Sequence, residues 1–261
     1  ERITGYSRDE LLGQQPLMFR SNLYSQSHMS ELMQRIDEEG HWQGEIENRH
    51  KSGQIYSEWL NVSRVADSRG QTRNYVAVFS DISELKASQQ RLEHIAHHDT
   101  LTSLPNRRKF MRQLDEYAQK GDQALLFIDL DGFKAVNDNY GHGVGDELLV
   151  ALAGRLRSMA GTGEMAFRLG GDEFAMILRR DLSQRYLSRK AEEIVTALGE
   201  PVKVPSGHLI QVGASVGISV SSGEHLDGAM LLKRADSAMY QAKQAGKGRY
   251  CFSLERVEEP A

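Results

Sequence analysis

Two acidic clusters sit at the ends of apolar runs, where a carboxylate needs a partner. The first is Phe127-Ile128-Asp129-Leu130-Asp131-Gly132-Phe133-Lys134, followed by Asn137-Asp138. A charged group at the end of a buried strand is costly unless something compensates it. A divalent cation does so, and Mg²⁺ takes one or two carboxylates while phosphate oxygens complete its shell. Alone, Asp129 and Asp131 read equally well as turn and cap residues. The second cluster is Arg168-Leu169-Gly170-Gly171-Asp172-Glu173-Phe174. A Gly-Gly pair between apolar strands is an ordinary hairpin turn. Glycines also let a backbone approach a nucleotide closely. The two acids after them put negative charge at the hairpin tip, to be balanced by solvent or a metal. With Asp129 on a neighbouring strand, two carboxylates facing one cation accounts better for both clusters.

The surrounding pattern supplies the strands. Ala124 to Ile128 is a short apolar run and reads as a buried strand. Met165 to Leu169 and Phe174 to Leu178 flank the tight turn. Ile210, Val212, Ala214, Val216, Ile218 and Val220 alternate strictly, which predicts a half-buried strand. Leu148, Leu149, Leu152, Leu156 and Met159 make one helix face, and Ile194, Val195 and Leu198 lie on another helix. Leu231, Leu232, Ala235, Met239 and Ala242 mark a final amphipathic helix. Helices interleaved with partly antiparallel strands indicate a central sheet.

Ahead of this part, residues 7–40 are mainly helical in character. Residues 43–50, 54–65 and 73–82 read as three strands, with turns at Ser52-Gly53 and Asp67-Ser68-Arg69-Gly70. Between the two parts, Leu85 and Leu92 are seven apart and Ile95 follows three later, with polar residues on the other faces. This predicts a helix joining two domains, either in a parallel coiled coil or packed on its own domain. Ser88 stands where a second core position would fall. The expected division is a domain at 1–82, a linker helix at 83–98, a second domain at 99–253 and a tail at 254–261.

A chain of 261 residues fits about two domains. Hydrophobic residues are 39% and charged residues 26%, enough for both to bury a core. Lys and Arg number 32 against 36 Asp and Glu, a net charge of -4. That balance argues against a nucleic-acid partner and leaves room for a local basic pocket. The single cysteine, Cys251, excludes an intrachain disulfide and a cysteine-built metal site. No apolar run approaches the ~20 residues of a membrane span. A cytoplasmic segment without membrane contact is the expectation.

Gly170-Gly171-Asp172-Glu173-Phe174 resembles the signature of the GGDEF family of diguanylate cyclases. Further blocks match in order. His98-Asp99-Thr100-Leu101-Thr102-Ser103-Leu104-Pro105-Asn106-Arg107-Arg108 resembles the family's opening motif. Asp129 to Asp138 and Tyr140-Gly141-His142-Gly143-Val144-Gly145-Asp146 resemble its nucleotide-binding half. Ala235 to Lys243 with Gly246-Lys247-Gly248-Arg249 resembles its closing helix. The N-terminal part resembles a PAS sensor domain, through Ile3-Thr4-Gly5-Tyr6-Ser7, Glu10 to Gly13, Trp42 to Glu45, Asn48 to Gly53 and Asp81 to Glu84. The usual first PAS strands do not precede these, so the sequence is expected to begin inside that domain. The fold implied is α+β throughout: a PAS-like antiparallel sheet, a linker helix, then a palm-like domain with a central mixed sheet flanked by helices.

The resemblance implies condensation of two GTP molecules into cyclic di-GMP with release of two pyrophosphates, controlled by the PAS domain through the linker helix. Asp129, Leu130 and Asp172 would hold Mg²⁺ or Mn²⁺. Asp172 and Glu173 would be the catalytic acids, Glu173 as a metal ligand or proton acceptor. Guanine presents N1–H and its amine side by side, a match for one carboxylate. Asp146 aligns with the acid that reads it, and Asn137 with its amide partner. Lys134, Lys243 and Lys247 would bind phosphates, with Phe133, Gly170 and Gly171 also at the substrate. Lys243 and Lys247 are expected four apart on one helix face, and Lys247 replaces the usual Arg. Each domain would hold one GTP, which implies a homodimer. The PAS ligand is open: flavin without a cysteine adduct, or haem on His28, His41 or His50. Many family members also carry a product-binding Arg-x-x-Asp just upstream of the signature. Here those positions are Gly161-Thr162-Gly163-Glu164, so product inhibition there is not expected.

Overall fold

The structure is a computed structural model and describes residues 1–19, 26–118, 121–221 and 228–253. The chain forms two compact units that divide at Leu92/Glu93. His28 as a haem ligand and the tail at 254–261 lie outside the described side chains and residues.

The first unit begins with α1 (Arg8–Leu11), started by a capping box in which Ser7 and Glu10 each accept from the other's main chain. A 3₁₀ turn (Pro16–Phe19) and α2 (Gln26–Glu39) follow. Strands β1 (His41–Arg49), β2 (Ile55–Ala66) and β3 (Thr72–Asp81) form one antiparallel sheet in that order. The β1–β2 turn places Gly53 at φ 93°, in the left-handed region glycine favours. In the β2–β3 turn, Asp67 Oδ1 accepts from the amides of Arg69 and Gln71 at 2.8 and 3.0 Å. Leu32 and Ile36 of α2 pack on Val62 with Trp42 and Leu60, a small core.

On the buried face of β2, Tyr56 and Glu58 are 6% and 3% exposed. Among the described residues, the Tyr56 hydroxyl and Glu58 Oε2 have no partner in hydrogen-bond geometry. Burial raises the Glu58 carboxyl above its ordinary value, partly offset by Asn48 and Tyr56. A polar pair of this kind carries no periodicity and is invisible in the sequence.

Helix α3 (Ser83–His97) crosses the boundary between the units. None of its residues is buried, and Leu85, Leu92 and Ile95 are 59%, 64% and 54% exposed.

The second unit contains α4 (Arg107–Ala118), β4 (Gln123–Asp131), α5 (Phe133–Tyr140), α6 (His142–Met159), β5 (Glu164–Gly170), β6 (Glu173–Leu178) and α7 (Gln184–Gly199). The two-residue strands β7 (Val202–Lys203) and β8 (Leu209–Ile210) pair with each other. Strand β9 (Gly213–Ser221), helix α8 (Gly228–Gln244) and β10 (Tyr250–Phe252) complete it. The sheet order is β10-β9-β4-β6-β5. Pairing is antiparallel except for β10 with β9. The sheet is therefore mixed, and both faces carry helices. Leu126, Ile128, Phe174 and Met176 pack with Leu148, Leu152 and Ile194 on one face. Leu125, Phe127, Ala175 and Ile177 pack with Phe110, Leu231, Ala235 and Met239 on the other. Burial on both faces explains the continuous apolar run in β4.

The alternation at 210–220 resolves differently from its half-buried reading. Ile210 belongs to β8, and β9 is buried on both faces. Ser215, Ser219 and Ser221 alternate with the apolar residues yet are at most 3% exposed. They are small because helix α8 lies directly on the strand. A Cβ on Gly217 would come within 1.9 Å of the Ala235 carbonyl oxygen. Among the described residues no helix is long and apolar enough to cross a membrane.

Candidate active site

Strand β4 ends at Asp131, and the chain turns through Gly132, at φ 85°, into α5. Side chains alternate along β4, so Asp129 follows Leu125 and Phe127 onto the α8 face. There the Lys243 ammonium pairs with Asp129 Oδ1 at 2.6 Å. In the neighbouring strand Glu173 stands directly opposite Asp129. Asp172 precedes it in the turn, and its carbonyl accepts from the Leu130 amide at 3.3 Å. Gly170 and Gly171 make the turn, with φ 144° and 53°.

A cavity of about 450 Å³ opens here, lined by Asp129, Asp131, Lys134, Asp172, Lys243 and Lys247 and by the chain from Leu130 to Ala135. Burial raises the Asp129 carboxyl; the Lys243 ammonium opposes that rise, and Asp172 and Asp131 add to it. Glu173 is also raised, first by burial, with Arg107 opposing and Asp129 and Asp172 reinforcing. Glu173 faces a second opening of about 300 Å³ with Arg107, Lys233 and Asp236.

The clusters found in the sequence thus meet at one end of the sheet, with differences in placement. Lys134 stands in the first turn of α5, directly after the β4 end. Lys247 is not on a helix face with Lys243: α8 ends at Gln244, and Lys247 lies in the following turn at φ 62°. Both still line the cavity. Phe133 is 8% exposed and belongs to the core while also bordering the cavity. Gly170 and Gly171 shape the hairpin and are not among the cavity's lining residues. Asn137 on α5 and Asp146 on α6 lie outside that lining too. A Cβ on Gly145 would come 2.0 Å from Asn137 Oδ1, so this glycine lets the amide sit against the first turns of α6, next to Asp146.

Arg168 carries a function that the sequence reading left out. It is 9% exposed, and its guanidinium donates to Asp99 Oδ1 at 2.9 Å and to the Gly171 carbonyl at 2.8 and 3.2 Å. Asp99 also accepts from the Thr102 amide and hydroxyl at 2.8 and 2.7 Å. The hairpin tip is thereby tied to the turn that opens the unit. An Arg two residues before a Gly-Gly turn was the available signal.

Upstream of the hairpin, Glu164 is committed. Lys190 pairs with it at 2.6 Å, both side chains being under 10% exposed. The Tyr186 hydroxyl and the Gly161 amide donate to it as well. Nearby, Arg155 donates to the carbonyls of Ala197, Glu200 and Pro201, and Arg157 to that of Thr102.

Four carboxylates, those of Asp129, Asp131, Asp138 and Asp172, against three lysines around a helix start suit a divalent cation together with a polyphosphate. That is the chemistry of a nucleotide-handling enzyme domain on a mixed, helix-flanked sheet. A family model described as diguanylate cyclase, GGDEF domain, matches residues 96–249, and a PAS-domain model matches residues 1–84. The chain belongs to the GGDEF family, with a PAS domain ahead of the GGDEF domain.

The diguanylate cyclase DgcM of Escherichia coli K12 is 41% identical over 180 residues, 67% of this chain and 42% of that protein. The bifunctional diguanylate cyclase/cyclic di-GMP phosphodiesterase MucR of Pseudomonas aeruginosa is 38% identical over 194 residues, 72% of this chain and 27% of that protein. The chain therefore spans less than half the length of either relative. Among solved structures, the coiled coil and GGDEF domain of DgcB from Caulobacter crescentus, in complex with c-di-GMP, superposes with a TM-score of 0.60 at 29% identity, covering 66% of this chain and 93% of that one.

Proposed function

We propose that this chain is a diguanylate cyclase, condensing two GTP into cyclic di-GMP and two pyrophosphates under control of its PAS domain. The observation that carries the reading is the convergence of Asp129, Asp172, Lys134, Lys243 and Lys247 on one cavity. Asp129 and Asp172, with the Leu130 carbonyl, would hold Mg²⁺ or Mn²⁺. Such an ion supplies charge stabilisation at the phosphoryl oxygens and lowers the pKa of the attacking hydroxyl. The lysines neutralise the triphosphate. Lys243, already paired with one anion, is placed to exchange Asp129 for phosphate. Glu173, with its carboxyl raised, is suited to accept a proton. Asp146 and Asn137 read the guanine edge. The domain limits 1–82, 83–98 and 99–253 go with this reading.

The test is chromatography of the products formed from GTP and Mg²⁺, with ATP in parallel. Cyclic di-GMP and two equivalents of pyrophosphate from GTP alone are expected. No product, or equal turnover of ATP, would overturn the assignment.

Two bonds form between two nucleotides, each held by one domain, so two copies must face each other. The exposed row Leu85, Leu92 and Ile95 on α3 favours pairing of that helix with its copy. Specific activity is expected to rise with protein concentration until the dimer saturates, and Leu92→Glu to move that curve upward by about tenfold in concentration, the loss of one buried leucine contact. Sedimentation alongside the assay decides it; full activity in a monomeric sample would contradict it.

The closed state of Glu164 bears on feedback. No guanidinium stands at position 161, and the carboxylate at 164 is already neutralised by Lys190. Cyclic di-GMP added during turnover is expected to cause no low-micromolar inhibition through residues 161–164. Inhibition that disappears on changing those residues would show otherwise.

A further inference from the structure

Asp131 is the second acid of the β4 cluster and, like Asp129, lines the nucleotide cavity. The Ser215 hydroxyl lies 2.9 and 3.0 Å from its two carboxylate oxygens, and the Gly248 amide donates to Oδ2 at 3.0 Å. Ser215 is on β9, while Gly248 lies in the turn between α8 and β10. Gly213, opposite Asp131 in the sheet, leaves space for this reach: a Cβ there would stand 3.1 Å from Oδ2.

The turn that Asp131 grips is the one that carries Lys247. Gly246, Lys247 and Gly248 have φ 116°, 62° and 57°. Two glycines tolerate this freely, whereas a lysine adopts it only when its surroundings hold it. The turn's other amides look back to its own helix: Gly246 donates to the Lys243 carbonyl and Lys247 to that of Ala242. Behind Asp131 and Gly248 lies a further cavity of about 530 Å³, bounded also by Gly199 and Gln211, and within the turn Arg249 Nε donates to the Lys247 carbonyl at 3.2 Å.

We propose that Asp131 is a positioning residue: through Gly248 it fixes the left-handed turn that aims Lys247 into the nucleotide cavity. This rests on the reading of Lys247 as a phosphate contact. In this role Asp131 serves the site through the turn that its carboxylate holds.

Two measurements on the intact chain test it. The first is amide hydrogen exchange without nucleotide. Asp131→Ala is expected to speed exchange at residues 246–249 while the amides of β4 and β6 keep their protection. The second is calorimetric binding of a non-hydrolysable GTP analogue with Mg²⁺ to the wild type, Asp131→Ala, Lys247→Ala and the double variant. Each single change is expected to weaken binding about tenfold, the scale of one charged hydrogen bond, and the double variant to be no weaker than Lys247→Ala within about twofold. Additive losses, or unchanged exchange at 246–249, would overturn the proposal. If Asp131→Ala does not fold, Ser215→Ala and Gly213→Ala, which loosen or displace the same carboxylate, are put through both measurements under the same criteria. Failure of the underlying functional reading is seen separately, as a wild type that neither binds the analogue nor makes product. That result removes the nucleotide half of the proposal, while exchange still reports the anchor.

Discussion

Replacing Asp129 or Asp172 with alanine should reduce cyclic di-GMP formation by about 10³-fold or more. A bound cation contributes several kcal/mol of transition-state charge stabilisation, and each ~1.4 kcal/mol is about tenfold in rate. The fold should survive. Asp129 is a buried carboxylate held by one lysine at 2.6 Å, and burial raises it above its ordinary value. Its removal relieves a desolvated charge as well as deleting a partner. Thermal unfolding of the second unit is therefore expected near the wild-type midpoint. Asp129→Asn separates charge from volume and should be as inactive as Asp129→Ala. Turnover close to wild type in Mg²⁺ by any of these variants would remove the metal assignment.

Arg168→Met should combine a stability loss with a loss of turnover. The guanidinium is nearly buried and serves an anion and a carbonyl at once. Taking it away leaves the Gly171 carbonyl without its side-chain donor and Asp99 with only the Thr102 amide and hydroxyl, which costs about 3 kcal/mol. Urea unfolding at neutral pH measures this. Burial acts to raise the Asp99 carboxyl, but the Thr102 and Arg168 hydrogen bonds outweigh it and hold the group below its ordinary value. A depressed carboxyl contributes stability that is present above its unfolded pKa and lost as pH falls through its folded one. The gap between wild type and Arg168→Met should accordingly be full at neutral pH and shrink in acid below the ordinary aspartate range. A gap independent of pH would mean that Asp99 is not the partner that matters. Turnover should fall too, because the tip carrying Asp172 loses its tie to the 99–104 turn.

What the sequence revealed and what it hid follow from the range of the interactions. Local periodicity marked β4, the hairpin strands and α8, because each buries a continuous or alternating apolar set. The β4 and hairpin acids stood out because they interrupt such sets. Arg168 with Asp99 and Asp131 with Gly248 did not, being 69 and 117 residues apart. Such ties leave no local pattern. Strand β9 misled for another reason: its serines look solvated, yet Ser219 is buried against α8, donating to the Leu231 carbonyl, and Ser215 is buried against Asp131. Lys247 misled because two flanking glycines end a helix that the spacing with Lys243 would have continued.

The closed arrangement around Glu164 also has an evolutionary reading. An arginine arising at position 161 would find its matching carboxylate already claimed by Lys190 and Tyr186. That mutation alone would not supply the pair of a guanidinium and a free carboxylate. A second change, releasing Glu164, would leave Lys190 buried beside one carbonyl, that of Met159. Building an arginine–carboxylate product site at this turn would therefore take at least two substitutions, the second at the cost of an unpaired buried lysine.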